Sequence, residues 1–280
     1  AVDKCAQVVA IDGFYAVVSC SATDQSGLTN AGSVYVFAAD NFNTWTMQQS
    51  IMADDQSANT EFGLSVAIHG PILCVGSLKE TGRSVYIFLR DGIQWFQYTK
   101  LSPSAAAAAD EFGSQVVVNR NYLLASARSD DDTQTDSGGM FSFTVSVASM
   151  TEASSFVYVK PKLESPLKAA NDEFGMSVGM YGEFLAVGSP KDHAQNVGAV
   201  HIYRRDYIES LHTESFINNE ARNAYRNSFT YFQTLYGLSD VSSDTRLIQT
   251  DYAFGLSSAV SYAHIAVGVP GATESSLANA

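Results

Sequence analysis

Side-chain catalysis needs converging groups, so the residues to weigh first are those able to act as nucleophile, base, paired carboxylate or metal ligand. Five histidines, His69, His193, His201, His212 and His264, are scattered with no shared spacing. The densest acidic run holds Asp130, Asp131, Asp132 and Asp136, of which Asp130, Asp132 and Asp136 are candidate cation ligands. Gln134 is a weaker ligand between them and no glycine marks the sharp turn of a calcium loop, so a solvated loop is the competing reading. Asp54, Asp55, Asp110, Asp172 and Asp251 recur ahead of Phe-Gly pairs, where carboxylates accept backbone N–H bonds in a turn; ringed around a channel mouth they would attract a cation or a basic ligand. Cys5 and Cys20 fall on the two arms of a hairpin turning near Gly13, which makes a disulfide sterically reasonable, with two free thiols as the alternative. Cys74 lies in an apolar strand and reads as an inert packing residue.

The elements that must position these groups repeat. Phe62-Gly63, Phe112-Gly113, Phe174-Gly175 and Phe254-Gly255 each open a short apolar run, a turn and a second apolar run, and Cys5-Ala6 opens an earlier copy. A third run follows a glycine: Gly32 to Phe37, Gly82 to Phe88, Gly138 to Phe143 and Gly198 to Tyr203. Within Val34-Tyr35-Val36-Phe37 every position is apolar, so both faces of that strand are expected to be covered. His201 takes the place of Tyr35 in this register and reads as a packing position. A fourth run ends on Ile51, Leu101, Leu163 and Leu235, and the next Phe-Gly begins 11 residues later in the first three cases and 19 in the last. Four short strands per unit of about 50 residues, punctuated by Gly and Asp-Gly turns, predict an all-β propeller of four-stranded blades, four complete plus a partial fifth. The unit boundaries fall at about 1–53, 54–103, 104–165, 166–237 and 238–280, in one propeller region over 1–280. A β-sandwich is the competing fold, but sandwiches do not repeat a four-strand sentence.

Composition narrows the function. Sixteen basic against 29 acidic residues leave a formal charge of −13, which argues against nucleic acid, whose binding needs clustered Lys and Arg. No run approaches the ~20 apolar residues of a membrane helix. Three cysteines with no Cys-x-x-Cys and no zinc-type spacing exclude a disulfide scaffold or zinc module. No Asn-x-Ser/Thr acceptor for N-glycosylation occurs.

Phe-Gly followed by small and apolar residues, then an apolar strand ending in Gly-x-Pro, resembles the FG-GAP repeats of integrin α-subunit-type propellers. Val187-Gly188-Ser189-Pro190 and Val267-Gly268-Val269-Pro270 keep the second half of that motif, Val75-Gly76-Ser77-Leu78 keeps only the glycine, and Ala125-Ser126-Ala127-Arg128 and Val18-Ser19-Cys20-Ser21 lose both. The resemblance implies a propeller and an adhesion or scaffold role. It also implies calcium loops between the first and second strands of blades. Here those connections are the short turns at Asp12-Gly13, His69-Gly70-Pro71, Asn119-Arg120-Asn121, Tyr181-Gly182-Glu183 and Tyr262-Ala263, too poor in oxygen ligands for Ca²⁺, so no cofactor is expected.

The fifth unit shows two strands, and completion of the ring by further sequence or by another chain is expected. Two long connections between third and fourth strands, from Phe141 to Val157 and from His201 to Phe229, should project from one face. The larger insertion, 204–228, carries Tyr207, Ile208, Leu211, Phe216 and Tyr225, the candidate partner-binding residues, with capping of their own blade as the alternative. The expectation is a non-enzymatic extracellular or cell-surface adhesion, scaffold or filament module that binds other protein chains or copies of itself. A glycan-binding lectin-like propeller and a propeller attached to a hydrolase are the alternatives.

Overall fold

Val9–Asp12 (β1) and Tyr15–Cys20 (β2) form a hairpin about Gly13, which takes φ +55°, and Ser33–Ala39 (β3) and Trp45–Ile51 (β4) extend it into a four-stranded antiparallel sheet in chain order. These relationships come from a computed structural model, which describes residues 5–78, 83–103, 108–119, 122–146, 155–192, 198–205, 229–236, 254–261 and 264–268. The same sentence recurs. Ser65–His69 (β5), Ile72–Ser77 (β6), Ser84–Asp91 (β7) and Gln94–Leu101 (β8) form a second sheet; Phe112–Val118 (β9), Tyr122–Ala127 (β10), Gly139–Ser146 (β11) and Ser155–Leu163 (β12) a third. Ser177–Tyr181 (β13), Phe184–Ser189 (β14), Ala199–Arg205 (β15) and Phe229–Tyr236 (β16) form the fourth, and Ser257–Val260 (β17) with Ile265–Gly268 (β18) a two-stranded fifth. The fold is all-β, with four antiparallel four-stranded sheets and a partial fifth, each a propeller-like blade. Where β3, β7 and β15 pair with the strand that follows, the register slips by one residue at Val36/Phe37, Ile87/Phe88 and Ile202/Tyr203, a bulge repeated with the blade.

The chain divides into two compact units, Ala1–Asp130 with Phe141–Tyr158, and Asp131–Met140 with Val159–Ala280. In the first unit every residue of β6 and of β10 is buried, as expected of strands covered on both faces. One core forms between the first and second sheets, from Val17, Val34, Val36, Phe62, Val66, Ile68, Leu73, Val75, Tyr86 and Phe88. A second forms between the second and third, from Ala67, Cys74, Val85, Ile87, Phe112, Val116, Leu123 and Phe141. In the second unit Ala186, Val200 and Ile202 of the fourth sheet meet Phe254, Val260, Ile265 and Val267 of the fifth.

Two expectations need correction. Val34 and Val36 are fully buried, but Tyr35 and Phe37 are only half-buried, because they point to the face of the first sheet opposite the core with the second. Cys5 precedes the first strand instead of lying on it, since strand pairing begins at Val9.

Candidate functional site

Seams between blades are built by the repeated motif. The Phe of the first three pairs sits on the third-strand rings of its own blade: Phe62 on Tyr86 and Phe88, Phe112 on Phe141 and Phe143, Phe174 on His201 and Tyr203, with centroids 5.4 to 6.4 Å apart. The Gly amide then donates to the glycine that ends the second strand, Gly63 to Gly76 and Gly175 to Gly188, both at 3.1 Å. This bond is the physical link between the two halves of the motif. Gly76 must also lack a side chain, because a Cβ there would lie 2.2 Å from the Gly113 carbonyl of the next blade, which Ser65 Oγ caps at 2.7 Å. Gly32 combines both demands: φ +82° and a Cβ position 2.2 Å from the Phe62 carbonyl. In the copies that lack the second glycine, Ser19 and Ser126 put a hydroxyl on the inner-strand amides of Val8 and Gln115.

The loop between second and third strands latches the preceding blade to the next. In the first unit Asn59, Glu61 and Phe62 donate their amides to Thr29, Asn30 and Ala31; in the second unit Asn171, Glu173 and Phe174 donate to Thr135, Asp136 and Ser137. This explains the candidate cation ligands. Asp136 corresponds to Asn30, both in a left-handed turn, at φ 48° and 50°, with its carbonyl committed to Glu173. Asp132 is ion-paired with Lys162 at 2.7 Å. Asp130 is buried in the turn after β10, its amide donating to Ala127, just as Asp192 donates to Ser189 and Thr23 to Cys20. Among the described residues no group of three or more His, Cys, Asp or Glu side chains is placed to hold a metal ion.

The acids ahead of Phe-Gly take different roles. Asp172 is buried and accepts the Ala169 amide at 3.0 Å, the turn role expected of it. Asp55 instead accepts the Tyr86 hydroxyl at 2.8 Å and Lys100 Nζ at 2.9 Å, because its exposed position lets long side chains reach it before backbone does. Asp54 is exposed, and Asp110 is buried with its carbonyl accepting the Ser129 amide. Asp251 lies outside the described residues.

The fourth blade holds a polar cluster that sequence reasoning missed. His201, Asp192 and Asp172 are all buried, with His201 Nε2 2.7 Å from Asp192 Oδ2 and His201 Nδ1 2.9 Å from Thr234 Oγ1. The His201–Asp192 contact brings the ring and the carboxylate together without aiming a ring N–H along the line between them. Burial first, and Asp192 second, push the Asp172 carboxyl up to about 6. Burial likewise raises the Tyr203 hydroxyl above the ordinary tyrosine range. His201 thus packs on Phe174 and also lies against a buried carboxylate. The signal available in sequence was the shared turn position of Thr23, Asp130 and Asp192, visible only once the turns are superimposed. His69 lies 3.9 Å from Asp12, His264 is exposed, and His193 and His212 fall outside the described residues.

Cys5 and Cys20 are joined by a disulfide across the entry to the first hairpin. Cys74 is free and fully buried, and burial pushes its thiol well above the usual range. Tyr207, Ile208, Leu211, Phe216 and Tyr225 lie outside the described residues.

One surface stands out. The first sheet turns Val9, Ile11, Trp45 and Met47 outward, with exposures of 64%, 68%, 41% and 59%. Cross-strand pairing aligns Ile11, Ala16, Phe37 and Met47 in one row and Val9, Val18 and Tyr35 in the next. The corresponding side chains of the second sheet, Val66, Ile68, Leu73, Val75, Tyr86, Phe88 and Trp95, are all buried. Sequence cannot separate the two sets, since the same residue types occupy both.

Comparison with known proteins agrees with the repeat. No curated protein matches the chain. A solved structure, Trypanosoma rangeli sialidase in complex with the inhibitor DANA, is similar over 70% of this chain at 13% identity and a TM-score of 0.35. The chain spans about a third of that structure's length, 35%. The FG-GAP repeat family matches residues 45–88, 95–143 and 162–203, each segment running from a fourth strand through the next Phe-Gly to a third strand. With three such repeats, the first and third closed by the glycine-to-glycine bond and the second by Ser126 in its place, the chain is an FG-GAP repeat protein.

Proposed function

We propose that the chain is a non-enzymatic protein-docking module of an extracellular or cell-surface adhesion, scaffold or filament protein. The observation that carries this is the uncovered face of the first sheet, where Val9, Ile11, Trp45 and Met47 lie exposed side by side. A contiguous apolar face of this kind costs solubility unless a partner covers it. The insertion at 204–228, with aromatic and aliphatic residues set among charged ones, supplies a second candidate contact, through Tyr207, Ile208, Leu211, Phe216 and Tyr225. The resemblance to integrin-type repeats favours adhesion, and the Cys5–Cys20 disulfide suits an oxidising compartment. The buried His201–Asp192–Asp172 cluster favours a non-enzymatic role, because side chains with no exposure to solvent cannot meet a substrate.

Replacing 206–228 by a short Asn-Gly turn, since Arg205 and Phe229 pair directly across the hairpin, with circular dichroism to check the fold, tests the insertion against binding to the native surface. Loss of binding with the β-signal intact is expected, and undiminished binding would remove the insertion from the proposal. Alkylation trapping on intact cells tests the location: Cys5 and Cys20 should be blocked and Cys74 free.

A further inference from the structure

We infer that the stretch 165–174, which leads into β13, is a proton-operated clasp: it closes on the loop before β11 while the Asp172 carboxyl is protonated and loosens when that carboxyl ionises. The clasp is independent of the docking reading above.

The two latches differ at one position. In the first unit Asn59, Glu61 and Phe62 donate to Thr29, Asn30 and Ala31, and in the second Asn171, Glu173 and Phe174 donate to Thr135, Asp136 and Ser137. Both stretches hold non-glycine residues in the left-handed region, Asn59 and Glu61 at φ 58° and 44°, Asn171 and Glu173 at φ 64° and 52°. Such backbone persists only where its surroundings hold it there. Between the two left-handed residues of the first latch stands Thr60, buried, its hydroxyl facing the Ala31 carbonyl across the seam at 3.0 Å and the Ser57 carbonyl at 2.6 Å. The position calls for a donor.

Asp172 occupies that position in the second latch, buried as well, with Oδ2 accepting the Ala169 amide at 3.0 Å. The carbonyl corresponding to Ala31 is that of Ser137, since each accepts the Phe amide. An ionised carboxylate only accepts hydrogen bonds, whereas a protonated one also donates. A proton on Asp172 therefore restores to the second latch what Thr60 supplies in the first.

Charge acts in the same direction. The groups facing Asp172 are Asp192 from the turn after β14 and Tyr236 from β16, and Asp192 in turn faces His201 and Tyr203 of β15. The lysines of this neighbourhood are committed elsewhere, Lys168 to Glu164 and Lys191 to Glu173, both at 2.6 Å. Ionising Asp172 sets it against Asp192 in a buried setting. Burial first, and Asp192 second, hold its carboxyl at about 6 against 3.8 when unperturbed, so the closed clasp takes up the proton and the loosened one gives it up. The closing contribution is full below about pH 4 and is lost as pH rises through 6.

Amide hydrogen exchange of the full chain, resolved by residue with NMR and expressed as protection over the intrinsic rate at each pH, tests this. Between about pH 5 and about pH 8, protection of Asn171, Glu173 and Phe174 should fall about 10-fold while that of Asn59, Glu61 and Phe62 holds. Asp172→Asn, a neutral donor at every pH, and Asp172→Thr, which carries the residue of the first latch, should both keep the second latch protected across that range. Circular dichroism checks the fold of each variant, and the wild-type comparison of the two latches stands without them. Parallel pH profiles at the two latches would assign the effect to the whole fold and overturn the clasp. Protection of the second latch that stays level or rises with pH, or a folded Asp172→Asn variant that retains the fall, overturns it equally.

Discussion

The amide of Gly63 donates to the carbonyl of Gly76 across 3.1 Å, and Gly76 lies so close to the Gly113 carbonyl that a Cβ there would be 2.2 Å away. The first glycine of the motif thus holds the second, and the second receives the first glycine of the next blade. Gly188 repeats both relationships, with Gly175 and with Gly255. Within each of the two units these contacts join one blade to the next.

Gly76→Ala should therefore cost more than ~3 kcal/mol, since backbone must move to admit the methyl group. Gly13→Ala is the control: φ is +55°, but nothing lies within 4 Å of the new Cβ, so the penalty should stay at about 1 kcal/mol. Urea denaturation of both variants checks the difference, and equal losses would remove close approach as the reason for Gly76.

The Cys5–Cys20 bridge closes a loop with a sequence separation of 15 residues. Replacing both cysteines by serine should cost about 3 kcal/mol. Thermal melts with and without reductant check this: the wild type should lose stability on reduction while the double variant does not respond.

Asp172 gives the fold a pH dependence of defined sign. Its carboxyl sits at about 6 in the folded chain against 3.8 when unperturbed, so the folded state holds the proton more tightly. The contribution is fully present below about pH 4 and is lost as pH rises through 6. Asp172→Asn should flatten stability across that window and raise it at pH 7 by on the order of 2 kcal/mol. A pH series of denaturation midpoints reads this directly, and an unchanged slope would contradict it.

His201→Phe should cost about 1–3 kcal/mol, because the buried Asp192 carboxylate loses the polar ring beside it. Changing both residues to those of the first blade, Asp192→Thr with His201→Tyr, should restore most of the loss, as Thr23 and Tyr35 occupy these positions without ions. Denaturation midpoints for the single and double variants decide whether the His201–Asp192 contact or the packing on Phe174 dominates.

The blade sentence was legible because its restraints fall on residue type. A ring must pack on third-strand rings at Phe62, Phe112 and Phe174, and no other side chain fits at Gly32 or Gly76, so these letters recur at fixed spacing. Asp192 escaped notice because its turn asks only that a backbone amide and carbonyl be free to bond, which Thr23 and Asp130 do equally well. At Asp136, likewise, the carbonyl makes the contact with Glu173, which residue type alone does not reveal. The docking face was illegible because Val9 and Ile11 read like the buried Val66 and Ile68; what differs is the surface opposite, which no single strand encodes.

Oxidative footprinting of Met47 tests the central claim most directly. Met47 is 59% exposed on the open face of the first sheet, whereas Phe42, at 89%, stands on the β3–β4 turn beyond it. In the purified chain under dilute conditions both should react readily. On the native surface or in the native assembly, Met47 oxidation should slow several-fold while Phe42 stays reactive. Equal reactivity of Met47 in both settings would show that no partner covers this face and would contradict the account.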